Sequence, residues 1–436
     1  MNEPEFAAWV AIDWAERKHS WQMLIAATGR REQGQLDHKP QAIEEWATGL
    51  QQRFPHALAA VCLEQSRGPL VYQLAKYAHL VLYPAHPATV ARYRAAFFPS
   101  GAKGDPGDTA LLLEILLHHR QHLRRLDPDT PDTRRLAMLT ELRRKLVDER
   151  TRHSNRLTAG LKLYYPQPLD WIENIDAPLG CDLLQRWPTF QQLQRAHPDT
   201  LRRFFHQHNC RSHQRVEQRI QAIRESTVAV HDPVLLEAGV AATSSLVALL
   251  RCLNEQIAAL DRQIGELTPQ HPEANLFAGL PGAGPVLLPR LIVAFGTQRE
   301  RFQSAAELAA YSGIAPVSRQ SGQSKTVVFR RACPRFLRQT FHEFAACSMA
   351  KSSWARTFYR SQRDRGKHHH AAVRALAFKW IRILFRCWKD HTPYNDARYL
   401  HCLEQRHSPL TSSDTQPGCS DPSHNGECKR RLDPAE

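Results

Sequence analysis

Four acids and a group of serines are the residues of this chain whose types and spacing can do chemistry. Asp13 closes the apolar run AWVAID and Glu64 closes AAVCLE. Asp105 and Asp108 stand three residues apart in KGDPGDTALLLEILLHH, which on a helix gives them adjacent surface. Converging carboxylates hold one or two hard divalent ions through oxygen and repel one another without them. Each acid also has a plainer reading. Asp105 before Pro106 makes an N-cap, Asp108 sits where a capping-box acid belongs, and Asp13 and Glu64 can be solvated strand ends. All four together, in this order along the chain, favour the catalytic reading. Far from them, a polar loop carrying Ser318, Ser321 and Ser324 runs into the basic residues Lys325, Arg330, Arg331, Arg335 and Arg338. Serines backed by arginines suit a site that handles phosphodiesters.

The elements that must position these groups follow from hydrophobic periodicity. Residues 8–13, 21–26 and about 33–39 read as strands and 41–53 as a helix. Residues 59–64 and 80–83 read as further strands, with helices over 69–78 and 87–97. Three strands followed by alternating helices and strands predict an α/β domain with a mixed sheet over residues 1–126. Such sheets bind ligands at strand ends, where Asp13 and Glu64 fall. From residue 127 to 270 the pattern is helical. Residues 133–163 carry Leu136, Leu139, Leu142 and Leu146 at spacings of three and four. Residues 213–267, broken near Asp232-Pro233, carry a stripe from Leu246 through Leu253 and Leu260 to Leu267. The stripe predicts a coiled coil or a helical hairpin, either a dimerisation arm or two helices packed within one chain. Residues 164–212 between them form a small inserted helical segment.

Residues 271–400 form a third, mostly α-helical region. LPGAGP at 280–285 reads as a helix-hairpin-helix turn able to bind phosphate, or as a plain turn between helices. Over 371–389, Lys379, Arg382, Arg386 and Lys389 make a basic stripe opposite Trp380, Ile381, Leu384 and Trp388. The apolar side reads as core and the basic side as a nucleic-acid surface. His368, His369 and His370 lack a second ligand pair at zinc spacing and read as a polar loop or helix start. Residues 401–436 are expected to be a disordered tail.

Lys plus Arg number 58 against 43 Asp plus Glu, a formal charge of +15, which calls for a polyanionic partner. No apolar run is read as reaching the roughly 18 residues needed to span a bilayer, so nucleic acid is preferred to membrane. The ten cysteines are scattered with no CxxC pair, which argues against a disulfide framework and for a reducing cytosol.

These residues together resemble the DEDD-type insertion-sequence transposases, the IS-one-ten and IS-eleven-eleven group. The likeness covers roughly residues 8–390, in the family's order. AIDWAERKHS resembles the first-Asp motif and gives Asp13; VCLEQSRG resembles the Glu motif and gives Glu64. KGDPGDTALL resembles the Lys-x-Asp-x-x-Asp-Ala motif, with Thr109 where Ala is usual, and gives Asp105 and Asp108. LPGAGPVLLPRLIVAFG, followed by FQSAAELAAYSGIAPVSRQSG, resembles the C-terminal signature, whose Ser-Gly places the catalytic serine on Ser321.

The resemblance implies an N-terminal RuvC-like, RNase H-fold domain, a long coiled-coil insertion and a mostly α C-terminal transposase domain. It implies a site-specific DNA recombinase guided by a structured bridge RNA that pairs with donor and target DNA. On this reading Ser321 attacks a phosphate and forms a covalent phosphoserine link. Mg2+ or Mn2+ held by Asp13, Glu64, Asp105 and Asp108 assists, and Lys325, Arg330, Arg331, Arg338, Lys379, Arg382 and Arg386 bind nucleic acid. Assembly is expected as a dimer, and as a tetramer on substrate. Two other readings stay open: a RuvC-like metal nuclease in which water attacks, and a nucleic-acid-binding protein without catalysis.

Overall fold

The computed structural model describes residues 5–97, 105–408 and 410, with the side chains at 105, 106 and 325 outside the description. The chain forms two compact units, Met1–Pro128 and Asp129–Glu436.

In the first unit, β1 (Phe6–Asp13), β2 (Lys18–Ile25) and β3 (Arg31–Asp37) make an antiparallel meander. Then come α1 (Pro40–Arg53), β4 (Leu58–Leu63), α2 (Pro69–Leu74), β5 (Leu80–Pro84), α3 (Pro87–Phe97) and α4 (Asp105–His119). The sheet order is β3-β2-β1-β4-β5, with β4 parallel to β1 and β5 parallel to β4. Alternation along each strand sends side chains to two faces. Val10, Ile12 and Val61 pack with Ile43 and Leu50 of α1 and Leu70 of α2. Ala11, Ala60 and Cys62 pack with Val90 of α3 and Leu112 and Leu116 of α4. Both faces are covered, so β4 reads as a continuous apolar run. The mixed α/β domain expected from the sequence is present.

The second unit is mostly helical. α5 (Pro131–Tyr164) starts at the Thr130 cap, whose hydroxyl accepts from the Thr133 N–H. Five shorter helices, α6 to α10, follow: Pro168–Trp171, Pro178–Arg186, Phe190–Arg195, Pro198–Gln207 and His213–Glu225. α11 (Pro233–Leu267) begins where Asp232 caps the Val234 N–H with Pro233 behind it. α5 and α11 run antiparallel in steady register. Thr133 meets His271, the residue Arg143 pairs with Asp261, Arg150 reaches Asn254, and the Tyr164 ring lies on Gly239. The two stripes therefore pair within one chain.

α11 is, by length and composition, long and apolar enough to cross a membrane, with a window of mean hydropathy 1.7. This corrects the expectation that no run is long enough; Arg251 and Asp261 within it are ion-paired.

Two cores sit on this helix pair. At one end Leu161, Val247 and Leu250 pack with Leu183, Phe190 and Phe205 of the shorter helices. At the other, Leu136, Leu260 and Ile264 join the C-terminal helices. Those are α12 (Ala274–Ala278), α13 (Leu287–Phe295), α14 (Ala305–Tyr311), α15 (Arg335–Lys351), α16 (Ser353–Asp364), α17 (His369–Lys389) and α18 (Asp396–Gln405). The strands β6 (Val317–Ser321) and β7 (Ser324–Val328) lie between α14 and α15. Trp354, Trp380 and Trp388 are fully buried. The Trp380 indole N–H donates to Ser348 Oγ and that of Trp388 to the Gly296 carbonyl, both at 2.8 Å, so neither polar handle is orphaned. α18 runs to Gln405, so residues 401–405 of the tail expected over 401–436 are helical instead, because Asn395 caps a helix that carries on through them; 411–436 lie outside the described residues.

Two glycines of α11 test the pairing with opposite signs. A methyl at Gly239 would lie 2.6 Å from the buried Tyr164 ring, whereas at Gly265 it meets nothing within 4 Å. Gly239→Ala is expected to destabilise the unit by about 1–3 kcal/mol through overpacking. Gly265→Ala should stabilise it by roughly 0.5–1 kcal/mol through helix propensity. Denaturant midpoints of the two variants check both.

Candidate functional site

The parallel register of β1 and β4 decides where the first two acids go. Ile12 is paired with Leu63, so Asp13 and Glu64, each one residue further, leave the same edge of the sheet on neighbouring strands. Strand spacing puts their backbones about 5 Å apart. Both are half-buried and hold polar contacts. Burial, with the charge of Glu64 added, pushes the Cys62 thiol up to about 12, so that cysteine stays a neutral core residue.

α4 runs antiparallel to β1. Its C-terminal end lies by the start of β1, where Trp9, Leu24, Leu117 and Arg120 line one cavity and the Arg120 guanidinium covers Phe6. Its N-terminal end, with Asp105 and Asp108, therefore points to the edge where Asp13 and Glu64 emerge. The Asp108 carboxylate accepts a 2.6 Å hydrogen bond from Arg94 of α3, and the two side chains keep only 16% and 20% of their exposure. The Asp105 side chain lies outside the description. Among the described residues no three His, Cys, Asp or Glu side chains gather as a metal-binding group.

The loop after Asp13 is pinned by a histidine that the sequence alone does not single out. The Ala15 N–H donates to His19 Nδ1 at 3.1 Å, and His19 Nε2 meets His38 Nδ1 at 2.8 Å. Because Nδ1 accepts, the proton of neutral His19 sits on Nε2 and is donated to His38. His19 is fully buried, and burial, then the neighbouring His38, lowers its pKa to about 4. The available signal was a histidine at an inward position of a strand.

Ser321 lies in the second unit and is exposed. The expected polar loop over 318–324 is instead a β-hairpin: Val317 pairs with Val328, Ser318 with Val327, and Ser321 with Ser324 across a Gly322-Gln323 turn. Gly322 has φ +56, which fits a type II′ turn, and Thr326, Val327 and Val328 supply the β-branched residues that favour a strand. At the base of the hairpin the Tyr311-Ser312-Gly313 turn sits on Cys333. Gly313 has φ +74, and a methyl there would lie 2.3 Å from the Cys333 sulfur. The 280–285 turn likewise packs on backbone, with Gly282 against the Cys347 carbonyl.

The expected basic residues divide into distinct environments. The Arg338 and Arg374 guanidiniums lie over the Phe329 ring, 4.8 and 5.0 Å from its centroid. Lys379 is half-buried over Trp354 and Phe358, and burial, with Arg382 nearby, lowers its pKa. Lys389 donates to the Arg299 carbonyl. Arg382 and Arg386 are exposed, Arg386 near Asp390. The 379–389 stripe is thus part aromatic-capped, part solvated. His369 opens α17 with His368 as its cap residue.

Comparison with known proteins gives a consistent set of likenesses. A DEDD-type IS110 transposase family model matches residues 10–166, which contain Asp13, Glu64, Asp105 and Asp108. A second, for the IS116/IS110/IS902 transposase family, matches 274–360, which contain Ser321. The chain is 26% identical over 415 residues to a mini-circle protein for IS117 of Streptomyces coelicolor, covering 93% of this chain and 99% of that one. It is 31% identical over 316 residues to an insertion element IS110 protein of the same organism, covering 71% and 76%. A pilin gene-inverting protein of Moraxella bovis is 31% identical over 153 residues, covering 34% and 47%.

The buried His19 gives a pH test. Its folded value of about 4 lies below its ordinary 6.5, so the unfolded chain takes up a proton that the folded unit refuses. Its contribution to stability is complete above pH 6.5 and is lost as the pH falls towards 4. Urea midpoints at pH 7 and pH 4.5 should differ less in His19→Gln than in the wild type.

Proposed function

We propose that this chain, which belongs to the IS116/IS110/IS902 family of transposases, recombines DNA by cutting and rejoining strands through a covalent serine intermediate. The observation that carries the reading is the emergence of Asp13 and Glu64 from adjacent parallel strands, with the α4 N-terminus directed to the same edge. The β3-β2-β1-β4-β5 order, with only β2 antiparallel to its neighbours β1 and β3, supports the RuvC-like, RNase H assignment of this unit.

The donor set of Asp13, Glu64, Asp105 and Asp108 is all carboxylate oxygen, which fits a hard divalent ion, Mg2+ or Mn2+. When bound, such an ion polarises a phosphate and lowers the pKa of a hydroxyl beside it. Arg94 meanwhile neutralises Asp108 and restrains the repulsion among the acids. Ser321, exposed beside the hairpin turn, supplies the nucleophile. Its Oγ bonds to phosphorus as the phosphorus–oxygen bond to the sugar breaks, and the departing oxygen takes a proton. One phosphodiester replaces another, so a different strand end can displace the serine without new energy. Arg330 and Arg331, with Lys325, neutralise the phosphate as charge develops. Arg338, Lys379, Arg382 and Arg386 extend the nucleic-acid surface.

A structured guide RNA is the second polyanion we assign to this basic chain, pairing with donor and target DNA. Self-association as a dimer, and as a tetramer on substrate, is supported by the exposed Met138 and Leu142 on α5 and Leu249 on α11.

Three measurements test the reading. Ser321→Ala and Asp13→Asn should each abolish a covalent protein–DNA adduct, and in the wild type the adduct should map to Ser321 by mass spectrometry. An adduct on Ser318 or Ser324 would refute the assignment. Mixing the two inactive variants restores the adduct if one site is built from two subunits. Arg94→Ala removes a competitor for Asp108 and should tighten Mn2+ binding by about 1 kcal/mol, roughly fivefold, in calorimetry; weaker binding would remove Asp108 from the metal set.

A further inference from the structure

The hairpin that carries Ser321 has two chemically different faces. Partners opposite one another share a face, and successive residues alternate. Arg319, Ser321, Ser324 and Thr326, with the Val317–Val328 pair at the base, therefore fall on one side, and Ser318, Gln320 and Val327 on the other. Val327 is 60% exposed, and Phe329, just past the strand, is 42% exposed. A β-branched residue and an aromatic ring held in water on a two-stranded ribbon add nothing to a core. A free two-stranded ribbon is itself marginal in water.

Phe329 is nevertheless fixed. Arg338 from α15 and Arg374 from α17 both lie over its ring. Burial and the charge of Arg338 lower the pKa of Arg374. Among the described residues neither arginine is in an ion pair. From residue 308 to 342 the sequence has no Asp or Glu, while it has Arg319, Lys325, Arg330, Arg331, Arg335 and Arg338. The Arg330 Nε is shielded from solvent with no hydrogen-bond partner among the described residues. This is an uncompensated cationic base under an apolar edge, the combination that binds unpaired nucleic acid, phosphates on the charges and bases on the apolar groups.

We propose that the β6–β7 hairpin is a strand-separating wedge. Its hydroxyl-and-arginine face meets the backbone of the strand being cut, and its Val327–Phe329 face holds the bases of DNA opened beside that phosphate. The ribbon lies between the two, which keeps the attacked phosphate clear of the partner strand. The proposal rests on the assignment of Ser321 above, and its test is independent of the adduct.

The test uses the full-length protein and two fluorescent DNAs of one sequence, a fully paired duplex and a Y-forked duplex with unpaired arms. The wild type should bind the fork about tenfold more tightly, the worth of stacking one base. Val327→Ser and Phe329→Leu should each lose that preference, while affinity for the paired duplex stays within about twofold, the electrostatic contribution being intact. Val327 touches no core, so its variant guards against an effect of misfolding. Ser321→Ala should keep the preference while losing the adduct. Preference in the wild type without an adduct on Ser321 keeps the wedge and removes the serine. Equal binding of fork and duplex by the wild type, or preference surviving both substitutions, overturns the wedge.

Discussion

The antiparallel pairing of α5 with α11 is the constraint on which the second unit depends. Neither helix has a complete core of its own. Leu136 and Leu161, near the two ends of α5, belong to different hydrophobic clusters, and Ile264 and Val247 of α11 complete them. Arg143 with Asp261, and Tyr164 against Gly239, hold one register over the whole length. A slip by one turn would misalign both cores at once. The Ser321 hairpin stands on the C-terminal cluster and inherits its position from that register.

In the first unit the equivalent constraint is smaller. The pairing of Ile12 with Leu63 puts two carboxylates at one edge. Like charges at such a spacing cost free energy unless a cation sits among them. Arg94 pairs with Asp108 at the start of α4, and His19 holds the loop after Asp13 without adding charge.

Much of this was legible in the sequence. Every strand of the first unit is near its expected place, because apolar alternation and buried runs are local signals. Asp13 and Glu64 were placed at strand ends for the same reason. The break before α11 was legible because Asp232-Pro233 both caps and opens a helix. What was missed depends on partners distant in the chain. The Arg94–Asp108 pair needs α3 beside α4, the Phe329 cluster needs α15 beside α17, and the His19–His38 pair needs the β2–β3 register. The hairpin was hidden by its polarity: it has no buried face, and its valines sit at the base of the strands without alternating. The apolar length of α11 is masked in the sequence because Arg251, Glu255 and Asp261 punctuate a helix that is still apolar in the mean.

Pairing helices so far apart in the chain also has a cost in time. α5 is complete at Tyr164, but its partner is finished only at Leu267, after five intervening helices. At a synthesis rate of about 5–20 residues per second, the leucine stripe of α5 leaves the ribosome roughly 5–20 seconds before α11 is available to cover it. The inserted helices can gather around the end of α5 in that interval, but Leu136 cannot be covered until Leu260, Ile264 and the C-terminal helices arrive. Nascent chains following one another along one message thus expose the same sticky surface in overlapping intervals. Either a chaperone shields that surface, or neighbouring chains begin to associate before either has folded.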